Sequence, residues 1–242
     1  MDLREYMSVR RAYNVVRQSV ASSERLTFEE FAILCRLDAS EGPMNTSSIA
    51  EYQGALRPTM THRTNHLAGL GLIERAPGER DRRNVVCSIS DLGRERVREL
   101  CGLTRAKIRS GRSLSRTSPE RIEKYVDAMG SFFCNAGDLV LLGLLASEEG
   151  ELTVMQLVDA LGLLQPTVSM SVSSLVEDGM LARDAIPRGG RGAAATLTPE
   201  GYAVARELED GIARIVVRRG PRRARRSAVE GDAGTDGTAS EA

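Results

Sequence analysis

The reading turns on one stretch: Arg57-Pro58-Thr59-Met60-Thr61-His62-Arg63-Thr64-Asn65-His66-Leu67-Ala68-Gly69-Leu70-Gly71-Leu72-Ile73-Glu74-Arg75. Pro58 stands where a helix opens, because a first-turn residue has no intrahelical use for its missing N–H. Met60, Leu67 and Leu70 then fall on one side and face a core, and Gly71 ends the helix in a conformation glycine adopts at little cost. Leu72 to Arg75 reads as a strand. Working backward, Gly54 marks a tight turn, and Thr46 or Asn45 caps a short helix running to Gln53. Gly42-Pro43 stops an earlier helix from Phe28 to Ala39, whose apolar residues recur at helical spacing behind a Thr27 cap. Working forward, Ala76 to Asn84 is a polar hairpin loop. Val85 to Ile89 is the return strand, and Ser90-Asp91 opens a long helix to about Ile108.

This order repeats. Residues 31–100 align on 139–208 without a gap at a shift of 108, with about a quarter of the positions identical. Among them are Gly54/Gly162, Leu56/Leu164, Pro58/Pro166, Thr59/Thr167, Leu67/Leu175, Gly71/Gly179, Arg75/Arg183 and Gly93/Gly201. Other pairs are apolar on apolar, such as Met60/Val168 and Ile73/Leu181. Two copies of this size make two small domains rather than a solenoid, which needs three or more repeats. Each copy reads as helix, helix–turn–helix, β-hairpin, helix. The fold class expected is mainly α with small β-hairpin wings: two tandem winged helix-turn-helix domains joined through a shared helical body.

Composition sets the bounds. The 242 residues carry 33 basic and 33 acidic side chains, and 41% are hydrophobic, as in an ordinary globular chain. Without Trp and with only 4% aromatics, the core must be aliphatic. The apolar runs, such as Leu139 to Ala146, are too short to span a bilayer. Charges in the first five residues do not suit a signal peptide. A cytoplasmic protein is therefore expected, with Cys35, Cys87, Cys101 and Cys134 as reduced thiols. The zero net charge hides a contrast. Residues 1–100 carry +1, 101–138 carry +3, 139–213 carry −7 and 214–242 carry +3.

The residues resemble the MarR family of bacterial transcription regulators. The likeness rests on Pro58-Thr59-Met60-Thr61-His62, Leu67 and Gly71-Leu72-Ile73-Glu74-Arg75. It continues through Asp81-Arg82-Arg83-Asn84-Val85-Val86, Ile89-Ser90 and Gly93. The second copy keeps Pro166-Thr167-Val168-Ser169, Leu175, Gly179-Met180-Leu181, Arg183 and Leu197-Thr198-Pro199-Glu200-Gly201. Family members usually carry one repeat and dimerise through their terminal helices. Two repeats in one chain imply an intramolecular pseudo-dimer, monomeric in solution. Residues 3–20, 91–112, 118–135 and 199–217 would form its helical body. The boundaries expected are 1–113 for the first repeat, 114–219 for the second, and 220–242 for a basic, then disordered, tail.

The partner implied is double-stranded DNA. A recognition helix presents short polar or basic side chains to base edges in the major groove. In the first copy these are Thr59, Thr61, His62, Asn65 and His66, with Arg63 near the backbone. In the wing, the resemblance has one arginine among Arg80, Arg82 and Arg83 reaching the minor groove while Asp81 braces another. The second copy offers Thr167, Ser169, Ser171 and Ser173, with Arg188 and Arg191 in its wing. From Pro166 to Asp178 it has no basic residue, Met170 replaces His62, and glycines replace the Asp81 brace. Unequal halves are expected, the second contacting DNA less specifically or serving mainly as a structural partner; equal binding through its serines and wing arginines stays open.

Other features have plainer readings beside the functional ones. His62 and His66 have metal-compatible i,i+4 spacing, but two ligands do not close a site, and no metal or cofactor is expected. Buried structural cysteines are the default, with Cys134 or Cys101 the sites if an oxidant is sensed. Tyr6, Tyr13, Tyr52, Tyr125 and Tyr202 suit core packing or a cavity for the small aromatic or anionic effector that the resemblance implies. The basic run Arg218 to Arg226 suits phosphate contact or a helix end equally. No P-loop, GxSxG, HExxH or paired-Cys motif points to an enzyme. The function expected is a sequence-specific, ligand-responsive repressor. The rival is a winged-helix protein-interaction module that has lost specific DNA binding.

Overall fold

The computed structural model describes residues 1–78, 84–185 and 193–218. The first half runs α1 (Leu3–Ser19), a 3-10 turn (Ser22–Glu24), α2 (Phe28–Asp38), β1 (Met44–Asn45), α3 (Thr46–Gln53) and α4 (Arg57–Gly69). It continues with β2 (Ile73–Pro77), β3 (Val85–Ile89) and α5 (Asp91–Lys107). The second half runs α6 (Pro119–Met129), α7 (Ala136–Leu145), β4 (Glu151–Thr153), α8 (Val154–Leu161) and α9 (Gln165–Glu177). It ends with β5 (Leu181–Ala185), β6 (Ala193–Leu197) and α10 (Pro199–Ala213). The chain is mainly α with two small antiparallel sheets, ordered β1-β3-β2 and β4-β6-β5.

Local chemistry fixes the boundaries. Capping boxes open α2 (Thr27 with Glu30), α7 (Asn135 with Asp138) and α8 (Thr153 with Gln156), satisfying amide groups that have no partner inside the helix. Asn45, rather than Thr46, caps α3. Gly54 and Gly162 end α3 and α8 in the left-handed region, at φ 57° and 62°.

The repeat holds in three dimensions at the same shift of 108. Ile73 pairs with Ile89, and Leu181 with Leu197. The Ser90 hydroxyl donates to Gly71 O (2.7 Å) and that of Thr198 to Gly179 O (2.8 Å), closing the hairpins onto the ends of α4 and α9. A Cβ on Gly93 would lie 2.1 Å from Leu72 O, and one on Gly201 1.9 Å from Met180 O, so both places require glycine. Two details differ from the sequence expectation. β1 and β4 add a third strand to each sheet; two or three residues are too few to show strand alternation. β2 also continues to Pro77, which is tolerated because β2 is an edge strand.

The halves share one hydrophobic cluster, drawing on Tyr6, Phe31 and Leu34 as well as Val126, Leu142 and Val172. α1 packs on α5, α6, α8 and α10, and α6 on α2 and α5. These contacts bring together the four segments expected to form the helical body. Gly130 lets α6 approach closely, since a Cβ there would lie 2.0 Å from Tyr52 Oη and 2.6 Å from the Ala32 Cβ. The amino terminus donates to Ile215 O (2.8 Å), joining the two ends of the body.

Candidate nucleic-acid interface

α4 is held by an inner stripe of Met60, Thr64 and Leu67, spaced i, i+4, i+7 and fully buried. The Thr64 hydroxyl donates to Met60 O (2.9 Å), which lets a polar side chain lie in the core. The outer face then carries Thr59, Thr61, His62 and Asn65, all exposed, with Arg57 and Pro58 at its open end. The Thr61 hydroxyl donates back to Arg57 O (3.0 Å).

Arg63 and His66 are half-buried and engaged inside the domain. Arg63 Nη1 donates to Gln53 Oε1 (2.7 Å), and Gln53 Nε2 donates to Glu29 O (2.8 Å). His66 Nδ1 lies 2.7 Å from Glu30 Oε1. These two residues tie α4 to α3 and α2, while the other four first-copy residues share the outer surface. Glu30 and Gln53 escape sequence reasoning. Glu30 is legible as a capping residue, but nothing local says that its second oxygen meets α4.

α9 repeats the inner stripe with Val168, Val172 and Leu175. Its outward surface differs. Ser173 is exposed, and Thr167, Ser169 and Ser171 are half-buried. Met170, at the place of His62, is 74% exposed, and Met155 on α8 is 59% exposed. No charged residue lies between Leu163 and Val176. The first face therefore offers hydrogen-bonding groups with basic residues close by, and the second offers small hydroxyls around an apolar side chain.

The wing residues Arg80, Asp81, Arg82, Arg83, Arg188 and Arg191 lie outside the described residues, as does the basic run beyond Arg218. At the base of the first wing, the Gly78 amide donates to Asn84 O (2.6 Å).

The remaining candidates, Tyr202 apart, take interior or half-buried places. Among the described residues, no group of three His, Cys, Asp or Glu is placed to hold a metal. All four cysteines are buried thiols. Burial pushes the Cys35 thiol up, as does its hydrogen bond with Cys101, and burial pushes Cys134 up to about 12. Neither is a ready thiolate at neutral pH. Tyr6, Tyr13 and Tyr125 are buried, and Tyr13 stacks on Phe31 with ring centroids 4.9 Å apart. Tyr202 is exposed and lines a shallow groove with Leu144, Leu145 and Leu197. Among the described residues, no helix is long and apolar enough to cross a membrane.

The fold and its two outward helix faces define a tandem winged-helix protein, with one helix–turn–helix in each half. Comparison with known families agrees. A MarR family model matches residues 26–85, and a second MarR family model matches residues 137–192. The chain thus carries two MarR-like regions, one in each half. Two solved structures are similar over part of their length. The transcriptional regulator BldR from Sulfolobus Solfataricus is 25% identical over 34% of this chain and 58% of its own, with a TM-score of 0.32. The YusO protein from Bacillus subtilis is 22% identical over 42% of this chain and 67% of its own, with a TM-score of 0.34. This chain thus spans less than two thirds of the BldR chain. No curated protein matches it.

Proposed function

We infer that the chain is a cytoplasmic, sequence-specific DNA-binding regulator of transcription, acting as a single-chain pseudo-dimer with unequal halves and without catalysis of its own. The observation that carries this reading is the outer face of α4. Thr59, Thr61, His62 and Asn65 lie together, exposed, on a helix whose other side is locked into the core. Such side chains hydrogen-bond base edges in the major groove, and the open end at Arg57-Pro58 presents backbone N–H groups to a phosphate. Arg80, Arg82 and Arg83, with Asp81, serve the minor groove in this reading. Arg63 and His66 act by orienting the helix. The second half contributes through Thr167, Ser169, Ser171 and Ser173 and through Arg188 and Arg191, with lower specificity.

The protein acts as a repressor whose effector is a small aromatic or anionic molecule. Binding across two half-sites needs the recognition helices about 34 Å apart, one turn of DNA. An effector releases DNA only as far as it prefers a different separation. The second reading, a protein-interaction module, is favoured by one observation: the exposed Met155 on α8 and Met170 on α9, the latter in a stretch from Leu163 to Val176 that carries no charge. Fluorescence anisotropy with the gene's own upstream DNA, across a salt series, separates the two. Binding that weakens steeply with salt supports the regulator. Absence of binding at low salt supports the interaction module. Arg82→Ala with Arg83→Ala should cost more affinity than Arg188→Ala with Arg191→Ala, and equal losses would remove the inequality of the halves.

A further inference from the structure

Helix α1 presents two adjacent stripes, each spaced i, i+3, i+7. Arg11, Asn14 and Gln18 meet the turn between α8 and α9 in the second half. Arg11 Nε donates to Asp159 O (2.8 Å), Asn14 Nδ2 to Leu161 O (2.9 Å) and Gln18 Nε2 to Gly162 O (2.6 Å). Asp159 and Leu161 lie in the last turn of α8, where carbonyls lack partners inside their helix, so the donors of α1 complete that helix end. Arg109, just beyond α5, adds an ion pair with the Asp159 carboxylate. The fit is tight. A Cβ on Gly162 would fall 2.7 Å from the Arg11 carbonyl oxygen, whereas the equivalent Gly54 faces open space.

The second stripe, Arg10, Tyr13 and Arg17, meets the start of α2. The Tyr13 hydroxyl (3.0 Å) and Arg17 Nε (2.9 Å) both donate to Leu26 O, and Arg10 Nη1 lies 3.6 Å from the Glu29 carboxylate. One residue on, the Thr27 amide donates to Glu30 Oε2 (2.7 Å), and Glu30 Oε1 meets His66 on α4. A series of contacts therefore runs from the helix–turn–helix of one half, through α1 and the first turn of α2, to α4 in the other.

We propose that α1 is the spacer that sets the separation of α4 and α9. Asn14 and Gln18 are positioning residues at one end, and Glu30, acting on His66, is the positioning residue at the other. A shift or rotation of α1 moves both ends, because each is held by hydrogen bonds of fixed direction in a close-packed setting. The proposal rests on α4 and α9 being the DNA-reading helices, but their separation is measurable without DNA.

The test places spin labels on Asn65→Cys and Ser173→Cys, two exposed positions on α4 and α9, in a chain whose native cysteines are buried. Pulsed dipolar spectroscopy then reads the distance between them. A single narrow distribution is expected for the otherwise unchanged chain. Asn14→Ala combined with Gln18→Ala should broaden it or shift it by several ångström, and His66→Ala should broaden it from the other end. Gln18 is exposed, so Gln18→Ala alone decides if the double variant fails to fold. An unchanged distribution in the folded Asn14 and Gln18 variants overturns the proposal. A second arm uses a duplex selected by the unlabelled wild-type chain from a random-sequence pool. Gln18→Ala should weaken binding to the whole duplex about tenfold, and to either half of it less than threefold. Equal losses on whole and half duplexes would also overturn it. If the wild type selects no duplex, the DNA-binding reading falls and the distance measurement still decides the role of α1.

Discussion

Helices α4 and α9 occupy equivalent places 108 residues apart, and their inner stripes match position for position: Met60, Thr64 and Leu67 against Val168, Val172 and Leu175. Their outer faces do not match. His62 faces Met170 across the repeat, Asn65 faces Ser173, and Arg57 faces Gln165. The inner positions fill a close-packed space beneath a shared hairpin, so they stay buried in both halves, and the one polar member, Thr64, gives its hydroxyl to Met60 O. The outer positions carry no such constraint, and their chemistry differs between the halves. This contrast also explains the zero net charge. A near-neutral half with a basic wing is joined to a half whose residues 139–213 carry −7, so the sum conceals two surfaces of different character.

The comparison can be broken or sharpened by experiment. The largest effect tests what the halves share. Gly93→Ala and Gly201→Ala each drive a Cβ onto a backbone carbonyl, and each should cost about 3 kcal/mol of stability in urea unfolding. A loss in only one half would contradict a common scaffold. Next, Gly54→Ala and Gly162→Ala meet the same left-handed strain, about 1 kcal/mol, but only Gly162 also abuts α1. Gly162→Ala should therefore lose about 2 kcal/mol more, which melting curves of the two variants compare directly.

The third test concerns the outer faces. His62→Ala with Asn65→Ala should weaken DNA binding roughly 10- to 100-fold, at the usual strength of base contacts. Met170→Ala with Ser173→Ala should change it by less than about threefold. Comparable losses in anisotropy titrations would make the halves functionally equal despite their chemistry.

The smallest effect separates the two leading helices, α1 and α6. Val15 packs on Gly162, whereas the equivalent Glu123 lies half-buried among carboxylates. Burial, then the charges of Asp38 and Asp127, push the Glu123 carboxyl from its usual 4.5 up to about 7. The folded state holds this proton more tightly than the unfolded chain, so stability falls as pH rises from about 4.5 to about 7 and is level above that. Glu123→Gln should leave stability unchanged near pH 4 and raise it by about 1 kcal/mol at pH 8, after allowance for solvent screening. Denaturant midpoints at the two pH values measure this, and an equal gain at both would refute the titration.

Much of the fold is legible in the order of residues. The repeat, the glycine stops, the proline helix starts and the recognition-helix core all follow from spacing and residue type. Ser90, Thr27 and Gly71 act where their chemistry says they should. The candidate DNA face is legible in part. Thr59, Thr61, His62 and Asn65 stand outward, while Arg63 and His66, equally polar and on the same helix, turn to Gln53 and Glu30. Sequence spacing places a residue on a helix side, but the side chain at the edge of a buried stripe goes wherever a partner waits, and the partners here are 10 and 36 residues away.

The sequence by itself determined two copies of one winged-helix unit and the unequal chemistry of their outward helices, because periodicity, caps and turns are local. Only the tertiary structure decided how the copies are joined: α1 seated on the turn between α8 and α9, α6 laid across α2, and Glu30 holding α4. Those choices depend on partners contributed by segments far apart in the chain, from 36 residues for Glu30 and His66 to 147 for Asn14 and Leu161, which no local pattern brings together.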